Sequence, residues 1–140
     1  MLGSSIATSD VSGISVPDLP DAVAHIITLQ LQNQDNFGSQ YGLRGTLNDY
    51  KLLIRNSYES PKAGQPRISR HNAEFQMITR PTIVSGVVTP AIPYIAGVTV
   101  RLPETGTAAV MATVALNLFY LLGAGSFTTA KLTKMMNFES

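Results

Sequence analysis

Lysine, arginine and carboxamide side chains recur at alternate positions in three stretches of this sequence, a spacing that can gather phosphate- and base-binding groups on one surface. In residues 50–58, YKLLIRNSY, the residues Lys51, Arg55 and Ser57 share a parity with Leu53. In ISRHNAEFQMITR, Arg70, Asn72, Glu74 and Gln76 alternate with Ala73, Phe75 and Met77. Farther on, Thr99 and Arg101 alternate with Val98, Val100 and Leu102. Lys and Arg neutralise phosphate, while Asn and Gln read the exposed base edges of single-stranded nucleic acid. The same residues also suit a solvated sheet face, and the carboxylate of Glu74 and the apolar Leu53 work against an anion surface.

Other chemistries find no support. His25 and His71 lack a Cys, His or carboxylate at ligand spacing, so a structural or exposed histidine is expected and no metal is assigned. No strained nucleophile elbow, HExxH helix or phosphate loop occurs, and Gly42 with Gly45 reads as turn chemistry. No catalytic residue, enzyme activity or cofactor is expected. Met77, Met111, Met135 and Met136 read as core or interface filling.

The elements that must position these groups are mostly strands. Residues 1–21 are rich in Ser, Gly, Thr and Asp, with Pro17 and Pro20, and read as an extended arm or irregular edge. In residues 22–32, AVAHIITLQLQ, His25, Ile27, Leu29 and Leu31 alternate with Ile26, Thr28, Gln30 and Gln32, the two-residue period of a strand. NQDNFGSQYG supplies turns. Strand 50–58 follows, then a loop holding Pro61, Gly64 and Pro66, then the strand in ISRHNAEFQMITR, whose alternation is the clearest in the chain. A second loop carries Pro81, Gly86, Pro90 and Pro93, and a last strand covers residues 94–102. The expected sheet therefore spans residues 22–102.

Residues 105–138 read as helical. Thr105 or Thr107 can cap the first helix, Glu104 suits its positive end, and Gly123 and Gly125 can stop it. A short second helix, residues 128–137, carries Lys131 and Lys134 on neighbouring positions. No charged side chain occurs from residue 105 to 130. The apolar run 108–122 spans only about 22 Å as a helix, against roughly 30 Å of bilayer hydrocarbon, so membrane insertion is disfavoured. A helix apolar nearly all round is buried on more than one side, and one small sheet covers only one. Val110, Val114, Asn117, Leu118, Phe119 and Leu122 are therefore expected to pack on a second subunit.

With 140 residues the chain is expected to form one domain, 1–140. Ten Lys and Arg against nine Asp and Glu leave a formal charge of +1, so any nucleic-acid affinity must come from local concentration or from many copies. The absence of Cys excludes disulfides and thiolate metal sites. The N-terminus lacks the basic and apolar regions of a secretory signal, so a cytosolic product is expected.

Taken in order, the strand NDYKLLIRNSY, a Pro/Gly loop, RISRHNAEFQMITRP, the loop VVTPAIP, the strand VTVRL and a Thr-led apolar helix resemble the coat proteins of single-stranded RNA bacteriophages, the levivirus-type family. The similarity runs from about Leu43 to Lys134. It implies an α+β fold: a five-stranded antiparallel sheet with an N-terminal hairpin, then two C-terminal helices that reach across a partner's sheet in an intertwined homodimer. Dimers would tile an icosahedral shell, made in the bacterial host cytoplasm and carried in the virion. The sheet face away from the helices would hold single-stranded viral RNA, including a stem-loop whose binding represses translation. Carried onto this sequence, that face is Lys51, Arg55, Arg70, Asn72, Gln76, Thr99 and Arg101, with Ser57 as a phosphate contact and Tyr94 as the stacking aromatic. Two other readings stay open: a small dimeric RNA-binding regulator without shell assembly, and a membrane-associated protein.

Overall fold

The computed structural model describes residues 3–8, 19–23, 26–61 and 63–120. His25, the turn at Gly123 and Gly125, the expected helix 128–137 with Lys131 and Lys134, and Leu122 lie outside the described residues, as does the side chain of Phe119.

Six strands form one antiparallel sheet: β1 (Ser5–Thr8), β2 (Ile27–Asp35), β3 (Gly38–Arg44), β4 (Asn48–Tyr58), β5 (Ile68–Thr79) and β8 (Pro93–Pro103), in that spatial order. Between β5 and β8 the chain makes a separate hairpin, β6 (Thr82–Val84) and β7 (Val87–Thr89). One helix, α1 (Ala108–Tyr120), follows β8.

Sheet register is unbroken through β4, β5 and β8. Lys51 pairs with Gln76 and Gln76 with Ile95; Arg55 pairs with Asn72 and Asn72 with Thr99. Side chains alternate faces along a strand, so these pairs fix two opposite surfaces. The apolar surface carries the core. Ile27, Leu29, Tyr41 and Tyr50 are fully buried, with Leu52, Ile54, Phe75 and Met77 packed against them. The rings of Tyr50 and Phe75 stack with centroids 6.2 Å apart.

Two strand features depart from the sequence expectation. NQDNFGSQYG supplies turn residues, yet only Asn36 and Phe37 form the turn, and Gly38 begins a strand, β3, that the sequence reading did not include. Gly38 and Gly42 lower strand propensity, but β3 is held between two longer strands, and at Gly38 a Cβ would overlap the Ile54 carbonyl oxygen. The proline-bearing segment 81–93, expected to be a loop, contains the β6–β7 hairpin. Its turn residues Ser85 and Gly86 have φ of 51° and 80°, the left-handed pair that matches the twist of flanking strands.

At the N-terminal side, Asp21 clamps the chain to the start of β4. Its carboxylate accepts hydrogen bonds from the Leu47 amide (2.8 Å), the Asn48 amide (2.9 Å), the Asn48 side chain (3.1 Å) and the Tyr50 hydroxyl (2.9 Å). The Tyr41 hydroxyl donates to the Gly3 carbonyl, tying β1's approach to the core.

Thr107 caps α1, accepting from the Val110 amide at 3.4 Å. Met111 and Ala115, on one side of the helix, face Val100 and Leu102 of β8. On the other side Val110, Val114, Leu116 and Leu118 stand 45–66% exposed, a large apolar area for a monomer surface. No described helix is long and apolar enough to cross a membrane.

Candidate nucleic-acid interface

The sheet surface opposite the core and α1 collects most of the described positive charge. Strand parity puts Arg44, Lys51, Arg55, Arg70 and Arg101 there, and Arg80, just past the end of β5, reaches Asp49 on the same face at 2.9 Å. Arg67 instead lies over the Tyr58 ring, 3.9 Å from its centroid, at the end of the apolar face. Segregation of this kind arises from alternation alone: β4 and β5 bury their apolar sets, and whatever occupies the other parity is turned outward.

Between the cations stand groups able to hydrogen-bond. The Thr99 hydroxyl donates to Asn72 Oδ1 at 2.8 Å, leaving the Asn72 amide hydrogens free to donate. Gln76 donates to Glu74 at 2.6 Å and keeps its own oxygen as an acceptor. Arg55 pairs with Asp35 at 2.6 Å and Arg101 with Glu59 at 2.8 Å. The Arg55 hydrogen bond, aided by the Phe37 amide, holds the Asp35 carboxyl below its ordinary range despite some desolvation. Among the described residues, Lys51 and Arg70 form no ion pair. Arg44, on the same face, forms none either.

Of the residues expected on one surface, Lys51, Arg55, Ser57, Arg70, Asn72, Gln76, Thr99 and Arg101 share it. Tyr94 does not. It pairs with Met77, which pairs with Tyr50, so it stands on the core side of the sheet, where it is 53% exposed. Its assignment as a stacking aromatic for this face is therefore wrong. No aromatic side chain of the described strands shares the cationic face; Leu53, Ile78 and Ile95 are large apolar groups there.

Two cations went unnoticed in the sequence, Arg44 and Arg80. Arg44 closes β3, a strand to which the sequence reading assigned no element, and Arg80 follows β5 with the parity of Gln76, a signal the alternation itself carried. His71 lies on the apolar face, its Nδ1 2.8 Å from Asn56 Oδ1 and its Nε2 3.1 Å from Ser69 Oγ, so both ring nitrogens are engaged structurally. No group of three or more metal-ligating side chains occurs among the described residues.

The fold recurs in the subunits of virus-like particles. The chain is similar to the subunit in the virus-like particle of Beihai levi-like virus 21, with a TM-score of 0.61 at 15% identity over 98% of this chain and 95% of that one. Similarity to the virus-like particle of bacteriophage EMS014 gives a TM-score of 0.59 at 20% identity, over 91% of this chain and 79% of that one. No curated protein matches the sequence. The fold is thus that of a phage coat protein. The sequence sharpens the assignment: the model of the family described as "Phage phiCb5, coat protein" matches residues 20–101, more than half of the chain, and the chain belongs to that family. Its role is structural, in the capsid of the virion.

Proposed function

We propose that this coat protein dimerises through α1, that the dimers assemble into an icosahedral shell in the host cytoplasm, and that the cationic sheet face lines the interior and packages single-stranded RNA. The observation that supports the RNA surface best is the confinement of Lys51, Arg55, Arg70 and Arg101, with Asn72, Gln76 and Thr99, to the face opposite the core. Each subunit supplies few free cations, so affinity per copy is low and packaging is collective, each neutralised phosphate releasing counterions. The missing aromatic ring favours charge-driven packaging over recognition of one stem-loop, since base-specific capture of unpaired RNA rests largely on stacking. Dimerisation is supported by the exposed apolar side of α1, where Val110, Val114 and Leu118 project together at helical spacing with Asn117 beside them. The Asn117 amide donates one hydrogen to the Thr113 carbonyl of its own helix at 2.8 Å and keeps its second N–H and its oxygen for a partner across the interface.

Expression of the chain alone tests this. Electron microscopy of the product is expected to show particles of uniform size that protect RNA from nuclease, and Lys51→Ala with Arg70→Ala is expected to reduce the RNA they carry. Discrete dimers with no particles would exclude the shell, leaving an RNA-binding regulator. Particles with an unchanged RNA load in the double variant would exclude this face.

A further inference from the structure

Three arginines of the cationic face are already held by carboxylates of the same chain: Arg80 by Asp49 beyond the end of β5, and Arg55 and Arg101 by Asp35 and Glu59 on the proposed RNA surface. Asp35 closes β2 directly across the sheet from Gly38, which itself pairs with Arg55, so the Arg55–Asp35 contact is set by strand register. Asp35 is also anchored locally, accepting from the Phe37 amide at 2.8 Å. Glu59 follows β4 with its amide bonded to the Ile68 carbonyl at 2.9 Å, and its side chain reaches Arg101 from there. Both carboxylates are thus delivered by fixed backbone. Both pairs are open to solvent: the side chains are 50% and 48% exposed for Arg55 and Asp35, and 63% and 32% for Arg101 and Glu59. A phosphate can reach either arginine, but only by taking the place of a carboxylate already there.

We infer that Asp35 and Glu59 are built-in competitors of RNA phosphate, latching Arg55 and Arg101 so that the sheet face binds RNA more weakly than its arginines allow. The inference rests on the proposed RNA surface and adds the groups that set its strength. Exchange of carboxylate for phosphate swaps one charge-assisted hydrogen bond for another, so the net gain per arginine is small and reversible. A shell that must enclose long RNA of arbitrary sequence gains from this, because no single subunit traps the chain in a wrong position. Lys51 and Arg70, unpaired among the described residues, make the first contact, and the latched pairs join only where RNA lies close.

The test measures binding of purified protein to a short fluorescein-labelled single-stranded RNA by anisotropy across a salt series. Asp35→Asn keeps an acceptor oxygen for the Phe37 amide, and Glu59→Gln keeps the side-chain length, so both are expected to fold. Each is expected to tighten binding about 1.5- to 5-fold, the worth of an exposed ion pair. Each is also expected to steepen the slope of log affinity against log salt by about 0.7, one added phosphate contact on a single strand. Glu104→Gln, which removes the same charge outside this face, is expected to leave the slope unchanged, and Arg55→Ala is expected to cancel the gain from Asp35→Asn. Equal gains from Glu104→Gln would reduce the effect to net charge and overturn the inference. So would weaker binding by Asp35→Asn and Glu59→Gln, which would make the carboxylates positioning groups for the arginines. If Lys51→Ala and Arg70→Ala also leave binding unchanged, the RNA surface itself has been misplaced.

Discussion

Removal of the Asp21 carboxylate should be the most damaging single change outside the apolar core. Asp21→Ala deletes the acceptor for four hydrogen bonds, and three of the donors, on two buried residues, cannot turn to water: Asn48 is 5% exposed and Tyr50 1%. An unsatisfied buried donor costs about 1–3 kcal/mol. The Leu47 amide is exposed and recovers a water, and Asn48 keeps its contact to the Tyr50 oxygen at 3.3 Å, so the expected total is about 2–4 kcal/mol. With a urea slope near 2 kcal/mol/M, the unfolding midpoint of the variant should fall by about 1–2 M at fixed protein concentration. The pH dependence provides an independent check. Desolvation pushes the Asp21 carboxyl upward, but the bonds from Leu47, Tyr50 and Asn48 outweigh it and the pKa is lowered from 3.8. Its stabilisation is therefore complete above the unfolded value and is lost as pH falls through the lower folded value. Asp21→Asn should accordingly flatten the acid limb of the stability curve. The Tyr50 hydroxyl moves the other way, raised from 10.0 by desolvation and by its bond to Asp21, so stability should also decline as pH climbs past 10 toward the folded value. An Asp21→Ala protein with the wild-type urea midpoint and an unchanged acid limb would refute this account of the clamp.

Two further outcomes follow from the strands and the helix. Gly38→Ala should destabilise by about 1–3 kcal/mol, read as a lower urea midpoint, because the new Cβ meets the Ile54 carbonyl oxygen and a packed strand pair cannot open without cost. Val114→Asp and Asn117→Asp should each convert dimers to monomers in size-exclusion chromatography and abolish particles, since either would bury an unpaired charge at the proposed interface; unchanged dimers in both would remove α1 from the interface.

What the sequence disclosed depended on how far side-chain type tracked the two faces. In β5 every apolar and polar residue from Asn72 to Met77 sits on the face its type predicts, because the core cluster packs on one side of that strand. The helix cap was legible only as Thr105 or Thr107, and the structure selects Thr107. In β3 the logic fails: Gly38, Ser39, Gln40 and Gly42 have poor strand preferences, and the strand exists because β2 and β4 supply hydrogen-bonding edges on both sides. The β6–β7 hairpin hid behind Pro81, Pro90 and Pro93, although the β-branched residues on either side of Ser85-Gly86 carry the hairpin signal. Tyr94 was misassigned against information the sequence contained. Tyr94 and Thr99 are five residues apart, and an odd separation in an unbulged strand places them on opposite faces. The run Tyr94-Ile95-Ala96 is apolar on both parities, so polarity there could not expose the error.

Both proposed roles of the sheet, RNA surface and core, are written on the same three strands and differ only by parity. A slip of one residue in β4 would send Lys51 toward the core and Tyr50 to the opposite face, and the same slip in β5 would exchange Arg70 and Phe75. Irregularity is confined to β2, where the register shifts between Leu31 and Asn33, away from the central pairs. At the head of β4, Asn48 and Tyr50 both bond the same Asp21 carboxylate from positions two residues apart, a geometry available only when both side chains point to the core. The clamp therefore selects register as well as stability. That gives the buried network a consequence on the far side of the sheet: it fixes which side chains of β4 form the cationic face, although none of its own atoms lies there.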